Sequence, residues 1–205
     1  MTSKIYRVCG NRLDQIHSDW PPSPIPAFND QQKLQKLVKE DIGFAFLPNF
    51  PKSDTRFGDG SWCVFYSAKE PETAIHEVAY HFRKDHYGKA HTKKFKTARK
   101  VIYQIEADFR AQKSVPDHND YYHPTSYAES QKFAKKAIQD GCCSLSARST
   151  RYNSGISYPI FDRQVLLTSV MLHTKFSVRW YPGDDKLTHF ASERETDIQL
   201  LNSDV

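Results

Sequence analysis

Two stretches of the chain bring together side chains that can bind and react with a phosphorylated sugar. Residues 55–66 place Arg56 in a Gly-rich turn and end a short strand of alternating pattern with Tyr66. Arginine donates to phosphate through a planar fork, whereas lysine offers only a point charge. Residues 71–81 follow with the sequence PETAIHEVAYH, in which Glu77 precedes His81 by one helical turn. The two stretches therefore predict a site on a loop, a strand and a helix that follow one another.

A third stretch, residues 140–148, has the sequence DGCCSLSAR and leaves a helix to enter a strand. Period-two alternation places Ser144, Ser146 and Arg148 on the same face of that strand. Two hydroxyl groups and a guanidinium would then point in one direction, as a binding site requires. An ordinary sheet also exposes such a polar face to solvent, and on its own the alternation favours that interpretation.

The elements that must position these residues are indicated by periodicity and by turn residues. Helices are expected at residues 29–40, 70–84 and 125–138. In the second helix, the apolar positions 75, 78, 79 and 82 form one face, so Glu77 and His81 face either solvent or a cleft. The strand candidates are residues 5–9, 62–67, 101–105, 142–147, 156–161, 165–167 and 170–180.

The order of these elements indicates the fold class. Strand-helix-strand repeats are few, and the sequence contains no GxGxxG. We therefore expect an α+β domain with a mixed, largely antiparallel sheet and flanking helices, rather than a doubly wound dinucleotide-binding fold.

Length and composition favour one folded domain over residues 1–205. A hydrophobic content of 39% can bury enough surface to offset the ordering entropy of the chain. We expect a core over residues 5–181 and a polar segment, residues 182–205, that covers a sheet edge or frays. The proline-rich residues 20–26 read as an ordered loop. No apolar run of about 18 residues occurs and the start of the chain is polar, so a cytoplasmic protein without a membrane segment is expected.

The four cysteines, Cys9, Cys63, Cys142 and Cys143, fit no zinc-binding spacing. Neighbours in sequence form strained disulfides, so free thiols are expected. The nine histidines form no HExxH pattern, and no metal site is predicted.

The net charge of +5 is concentrated in residues 89–100, where lysine and arginine cluster. One interpretation is a surface for an anionic partner such as nucleic acid or the pyrophosphate of a cofactor. The other is a solvated loop, which is favoured because no aromatic residues of an RNA-binding signature accompany the charges. A non-catalytic basic module that binds RNA or a protein partner is therefore the main alternative to an enzyme.

Taken together, the stretches resemble the RES domain family, which is named for its arginine, glutamate and serine. The similarity lies in the arginine of the Gly-rich turn, the strand ending in tyrosine, the helix with Thr-Ala-x-x-Glu and the later Gly-x-x-x-x-Ser-x-Arg strand, and it extends from about Tyr6 to about Leu167. It is closest to a subtype with Thr-Ala-Ile-x-Glu-x-x-x-His, here residues 73–81. The resemblance implies a fold like that of the diphtheria-toxin class of ADP-ribosyltransferases and a toxin that consumes NAD as its substrate.

The resemblance also implies roles for individual residues. The family's arginine, glutamate and serine fall on Arg56, Glu77 and Ser146, its tyrosine falls on Tyr66, and the histidine of the subtype falls on His81. Arg148 matches an arginine that often follows the serine. Glu77 would stabilise an oxocarbenium-like transition state, and the arginines would hold the diphosphate. Tyr66 would lie against the nicotinamide ring, and Ser146 would bind ribose or phosphate oxygen. His81 would orient Glu77 or help to activate the acceptor. The alternative is that His81 and Glu77 form an ordinary pair at the surface.

Partners follow from the resemblance alone. It implies a Xre-type antitoxin with a helix-turn-helix domain whose tail blocks the NAD site, and a homodimer of the toxin within that complex. The acceptor of the ribosyl group stays open among water, phosphate and a protein side chain. An inactive relative that keeps the fold is a further alternative, although Arg56, Glu77 and Ser146 are all present.

Overall fold

The computed structural model describes residues 2–9, 28–47, 54–86, 96–180, 186–191 and 194–199. Helices α1, α2 and α3 span Phe28–Ala45, Pro71–His86 and Ala128–Gln139. The strands are β1 Thr2–Cys9, β2 Phe65–Ala68, β3 Lys96–Asp108, β4 Gln112–Ser114, β5 Ser144–Arg148, β6 Ile156–Ile160, β7 Leu166–Trp180, β8 Lys186–Ala191 and β9 Arg194–Gln199. A 3-10 turn at Asn119–Tyr122 precedes α3, and another at Arg163–Val165 precedes β7.

The described strands form one sheet in the order β4-β5-β6-β2-β1-β3-β7-β8-β9. Strands β4 and β5 run parallel, and every other described pair of neighbours is antiparallel. The prediction of an α+β domain with a mixed, largely antiparallel sheet is therefore confirmed.

The two faces of this sheet carry different cores. On the first face, Phe65, Tyr103 and Ile160 pack with Val38 and Ile42 of α1. On the second face, β1 and β3 pack against α2, whose Ala74, Ala79 and Phe82 are buried. Farther along the second face, α3 covers β5 in a separate cluster that includes Phe57, Ala134, Ala137, Leu145 and Ala147. The second face therefore carries two helices with separate apolar contacts.

The α1 side of the sheet contains a largely buried polar network. Asp41 of α1 accepts from Arg7 Nε at 2.6 Å and from the Tyr103 hydroxyl at 2.7 Å. Arg7 also donates to the carbonyl oxygen of Tyr66 at 2.6 Å, and its guanidinium lies 4.2 Å from the centre of the Phe65 ring. A buried charge requires such complete pairing because its desolvation is costly. The network ties the backbone of β2 to α1.

Several elements differ from the sequence prediction. Residues 166–180 form one continuous strand, β7, directly after the 3-10 turn at Arg163–Val165, whereas residues 165–167 were expected to continue the strand of residues 156–161 and residues 170–180 to form the next strand. The predicted polar covering segment instead contains β8 and β9, which extend the sheet beyond β7 as a hairpin. The many polar residues of this segment hide the strand pattern in the sequence. The expected loop at residues 20–26 lies outside the described residues.

The helices also bear on membrane insertion. None of those in the described part of the chain combines the length and the apolar character that crossing a bilayer needs.

Candidate functional site

Polar side chains gather on the second face of the sheet between α2 and α3. The loop that carries Arg56 leads into β2 and Tyr66, and α2 carries Glu77 directly afterwards. The loop between β5 and β6, residues 149–155, approaches the same place from the other side. The predicted succession of loop, strand and helix is therefore present, and a second loop joins it.

Arg56 is anchored by backbone oxygens and leaves part of its guanidinium for a ligand. Its Nη1 donates to the carbonyl oxygens of Tyr121 and His123 at 3.1 and 3.0 Å. The Tyr127 ring centre lies 5.0 Å from its Cζ. Burial lowers the pKa of Arg56, and a nearby arginine, Arg151, lowers that pKa further. The described residues offer no hydrogen-bond acceptor to its Nε or Nη2, so both can bind an anion.

Tyr66 holds the Arg56 turn in shape through its hydroxyl group. The hydroxyl donates to Thr55 Oγ1 at 2.9 Å and accepts from the backbone N–H of Phe57 at 3.0 Å. Burial raises the pKa of Tyr66 to about 12, so the phenol stays neutral in the ordinary pH range. Glu77 raises the pKa of this hydroxyl and Arg56 lowers it, both by less than burial does.

Glu77 is fixed by a serine that the sequence analysis did not select. Its Oε1 accepts from the Ser149 hydroxyl at 2.8 Å. The Ser149 oxygen in turn accepts from the backbone N–H groups of Arg151 and Tyr152 at 3.0 and 3.2 Å. Ser149 is buried, so water does not compete freely for these bonds. The carboxylate is held in one orientation while it remains partly exposed.

The 149–155 loop lies close against the first turns of α2. A Cβ atom on Gly155 would come within 2.6 Å of Thr73 Oγ1, so only glycine allows this approach. The His76 and Tyr152 rings stack with their centres 4.6 Å apart. The loop also closes on itself through the bond from the Ser149 N–H to the Gly155 oxygen at 2.7 Å. These contacts set the position of Ser149 relative to Glu77.

Arg151 of this loop is a second cation in the site. Only 7% of Arg151 is exposed, and its Cζ lies 3.4 Å from the centre of the Tyr80 ring on α2. It acts on the pKa of Arg56, so the two guanidinium groups repel each other. Neither the alternation pattern nor the family resemblance singled out this residue.

The structure does not bring Ser146 to the other predicted site residues. In β5, Ser144 pairs with Ile160, which pairs with Phe65 of the α1-facing core. Ser146 shares the face of Ser144 by alternation, whereas Tyr66 lies on the opposite face of the sheet. The role of Ser146 in binding ribose or phosphate therefore stays a prediction that this geometry does not support.

Among the described residues, neither Arg148 nor His81 makes a hydrogen bond or an ion pair with Glu77. Arg148 Nε pairs with Asp117 Oδ1 at 2.8 Å, and its guanidinium lies 4.2 Å from the Tyr122 ring centre. His81 is exposed, and its ring meets that of Tyr80 edge-on at 5.4 Å. Within the described residues no hydrogen bond or ion pair joins His81 to Glu77, so the expected orienting contact is absent there.

The missed residues carry a sequence signal in retrospect. Ser146-Ala147-Arg148 is followed directly by Ser149-Thr150-Arg151, so the Ser-x-Arg pattern occurs twice in succession. The first copy ends β5, and the second begins the loop that returns across α2. The pattern alone gives no reason to prefer the second copy, because the two copies differ only in their position before and after the end of β5.

Other predicted features lie at the margins of this site or outside it. Most of the basic stretch at residues 89–100 falls outside the described residues. Cys63, Cys142 and Cys143 are free thiols, as predicted. The described part of the chain contains no group of three or more histidine, cysteine, aspartate or glutamate residues that could hold a metal ion.

Comparison with known families gives a match over the region that contains the site. The family model described as RES domain matches residues 39–180, which is more than half of the chain and includes every residue of the site. A search of curated proteins finds no match.

Proposed function

The chain belongs to the RES domain family, and we propose that it cleaves the nicotinamide–ribose bond of NAD as the toxin of a bacterial toxin–antitoxin module. RES domains are associated with NAD-related toxins of such modules. The proposal for this chain is supported chiefly by one observation, the carboxylate of Glu77 held in one orientation by the hydroxyl of Ser149. This carboxylate also raises the pKa of Arg56, the cation of the same site.

Glu77 is the group that the chemistry needs. As the bond to nicotinamide breaks, positive charge develops on the ribose, and a fixed carboxylate stabilises it without reorganising. Ser149 restrains Glu77 by a hydrogen bond, and the partial exposure of the carboxylate leaves an oxygen available to the substrate. The same carboxylate can accept a hydrogen bond from a ribose hydroxyl and so orient the sugar.

Arg56 and Tyr66 supply binding rather than bond breaking. Arg56 presents two nitrogen donors that no described residue occupies, in the fork geometry that suits phosphate. Tyr66 remains a neutral phenol, and its ring can lie against the nicotinamide while its hydroxyl keeps the Arg56 turn in place. Each group therefore addresses a different part of the dinucleotide.

The identity of the acceptor decides between three outcomes. Water gives hydrolysis, inorganic phosphate gives phosphorolysis, and a protein side chain gives ADP-ribosylation. His81, which the resemblance gives as a group that helps to activate the acceptor, is exposed on α2 one helical turn after Glu77. We include the Xre-type antitoxin and the homodimer in the proposal on the family resemblance alone.

The experiment that tests the proposal is an NAD cleavage assay with product analysis. Purified protein is incubated with NAD in buffer, with added phosphate and with cell lysate, and the products are resolved by mass. Release of nicotinamide supports the proposal, and the mass of the ribosyl product identifies the acceptor. NAD that stays intact in all three conditions contradicts it and favours the basic binding module or an inactive relative.

A further inference from the structure

Arg151 is a largely buried cation for which the described residues offer no carboxylate or carbonyl partner. No described residue accepts a hydrogen bond from its guanidinium, whose Cζ lies 3.4 Å from the centre of the Tyr80 ring. Only 7% of the residue is exposed. A buried cation normally pairs with an acceptor because desolvation of an unpaired charge is costly. The free donors of Arg151 therefore require a functional explanation.

The charges around Arg151 favour an anionic ligand. Arg56 and Arg151 lie close enough for one guanidinium to lower the pKa of the other, whereas Glu77 is the carboxylate that acts on Arg56. The two guanidinium groups and the one carboxylate therefore carry a net positive charge, in a site where Arg151 is buried and Arg56 and Glu77 are partly exposed. A diphosphate carries two negative charges and would supply acceptors for both guanidinium groups.

We propose that Arg151 binds the diphosphate of the dinucleotide together with Arg56. The inference rests on the proposed function for the identity of the ligand, although the excess charge stands without it. Tyr80 holds the guanidinium plane by stacking, which leaves its nitrogen edge free for bidentate contact with phosphate oxygens. Ser149 couples the two halves of the site, since its oxygen accepts from the Arg151 N–H and its hydroxyl donates to Glu77.

This assignment moves the second phosphate contact away from Arg148. Arg148 already pairs with Asp117 at 2.8 Å and stacks on Tyr122, and it is exposed. A guanidinium with a partner in water gains little by exchanging it for a ligand. The guanidinium of Arg151, to which the described residues offer no acceptor, gains more from the hydrogen bonds and the charge of a phosphate.

The test is a binding measurement that needs no turnover. Isothermal calorimetry measures the affinity of ADP-ribose, which carries the diphosphate, and of nicotinamide, which has no phosphate. The variant Arg151→Met removes the charge and keeps the length of the side chain, and Arg110→Ala removes an exposed arginine elsewhere as a control. The unfolding midpoint of each protein shows whether it is folded.

We expect Arg151→Met to weaken ADP-ribose binding about 10- to 100-fold, the loss of hydrogen bonds to a charged group. Nicotinamide affinity should be unchanged, and Arg110→Ala should bind both ligands like the wild type. The unfolding midpoint of Arg151→Met should stay the same or rise, because the substitution removes the repulsion from Arg56.

Three outcomes would overturn the inference. The first is unchanged ADP-ribose affinity in Arg151→Met, and the second is an equal or larger loss in Arg148→Ala. The third is a fall in the unfolding midpoint together with equal loss of both ligands, which would instead assign Arg151 a structural role. These results are separable from failure of the proposed function, because ADP-ribose binding that depends on Arg151 stands even if NAD is not cleaved.

Discussion

Replacing Ser149 with alanine tests whether Glu77 depends on its hydrogen bond for catalysis. The substitution removes the donor to Glu77 Oε1 and the acceptor of two backbone N–H groups. A hydrogen bond to a charged group contributes about 1.5–3 kcal/mol. Because Glu77 is partly exposed and water can replace part of the bond, we expect the lower end of that range. The corresponding effect is a loss of about tenfold in turnover rate.

The assay separates a positioning role from a binding role. Steady-state NAD cleavage gives kcat and KM for Ser149→Ala, and thermal unfolding gives its stability. We expect kcat to fall while KM changes little, since the transition state needs the oriented carboxylate more than the ground state does. The two backbone donors that lose their acceptor should lower the free energy of unfolding by about 1–2 kcal/mol.

Ser146→Ala is the matched comparison because it removes the same group from the other face of the sheet. It should leave kcat near the wild-type value. A wild-type kcat in Ser149→Ala would refute the reasoning about Glu77. A large loss in Ser146→Ala alone would return the functional role to the serine predicted from the sequence.

Three further predictions concern the scaffold of the site. Gly155→Ala should lower the rate of NAD cleavage at least about tenfold, because the new Cβ would lie 2.6 Å from Thr73 Oγ1 and push the loop away from α2. The control Gly43→Ala, whose Cβ would have nothing within 4 Å, should keep wild-type activity, and equal activities of the two variants would contradict the prediction. Tyr66→Phe should lose about 1–2 kcal/mol of unfolding free energy at neutral pH, since Phe57 N–H loses its acceptor. The wild type should also lose unfolding free energy as the pH rises from the ordinary tyrosine pKa of about 10 to the folded-state pKa of about 12, because the unfolded state releases the phenol proton first. Tyr66→Phe lacks this phenol and should not show that loss. Parallel curves of unfolding free energy against pH for the two proteins, measured with denaturant, would count against the pKa shift. Asp41→Ala should lower the free energy of unfolding, measured in urea, by about 3 kcal/mol because it leaves Arg7 without its carboxylate. The control Glu129→Ala, which removes an exposed ion pair, should lower it by less than about 1 kcal/mol. Similar losses in the two variants would show that the buried network adds little stability.

The sequence was sufficient for those parts of the site that follow from local pattern. The helical spacing of apolar residues in α2 correctly placed Glu77 off the buried face. The loop with Arg56, the strand with Tyr66 and the helix with Glu77 follow one another as the sequence predicted. Both results depend on residues close together in the chain. Long helices and central strands were found for the same reason, since each shows its own period.

The site residues that the sequence analysis missed lie directly after the end of a strand. Period-two alternation treats Ser146 and Arg148 as members of one face, but it gives no information about the loop after β5. Ser149 and Arg151 reach the site because that loop turns back over α2, which Gly155 permits through a long-range contact with Thr73. The β8–β9 hairpin was missed because its polar residues lack the alternation of a half-buried strand.

The most direct test of the central claim compares NAD cleavage by the wild type and by Glu77→Gln. The amide has the shape of the carboxylate and can still accept from Ser149, but it carries no charge to stabilise the developing cation. We expect nicotinamide release to fall at least about 1,000-fold, while ADP-ribose binding and the unfolding midpoint stay close to wild type. Nicotinamide release by Glu77→Gln at the wild-type rate would contradict the account.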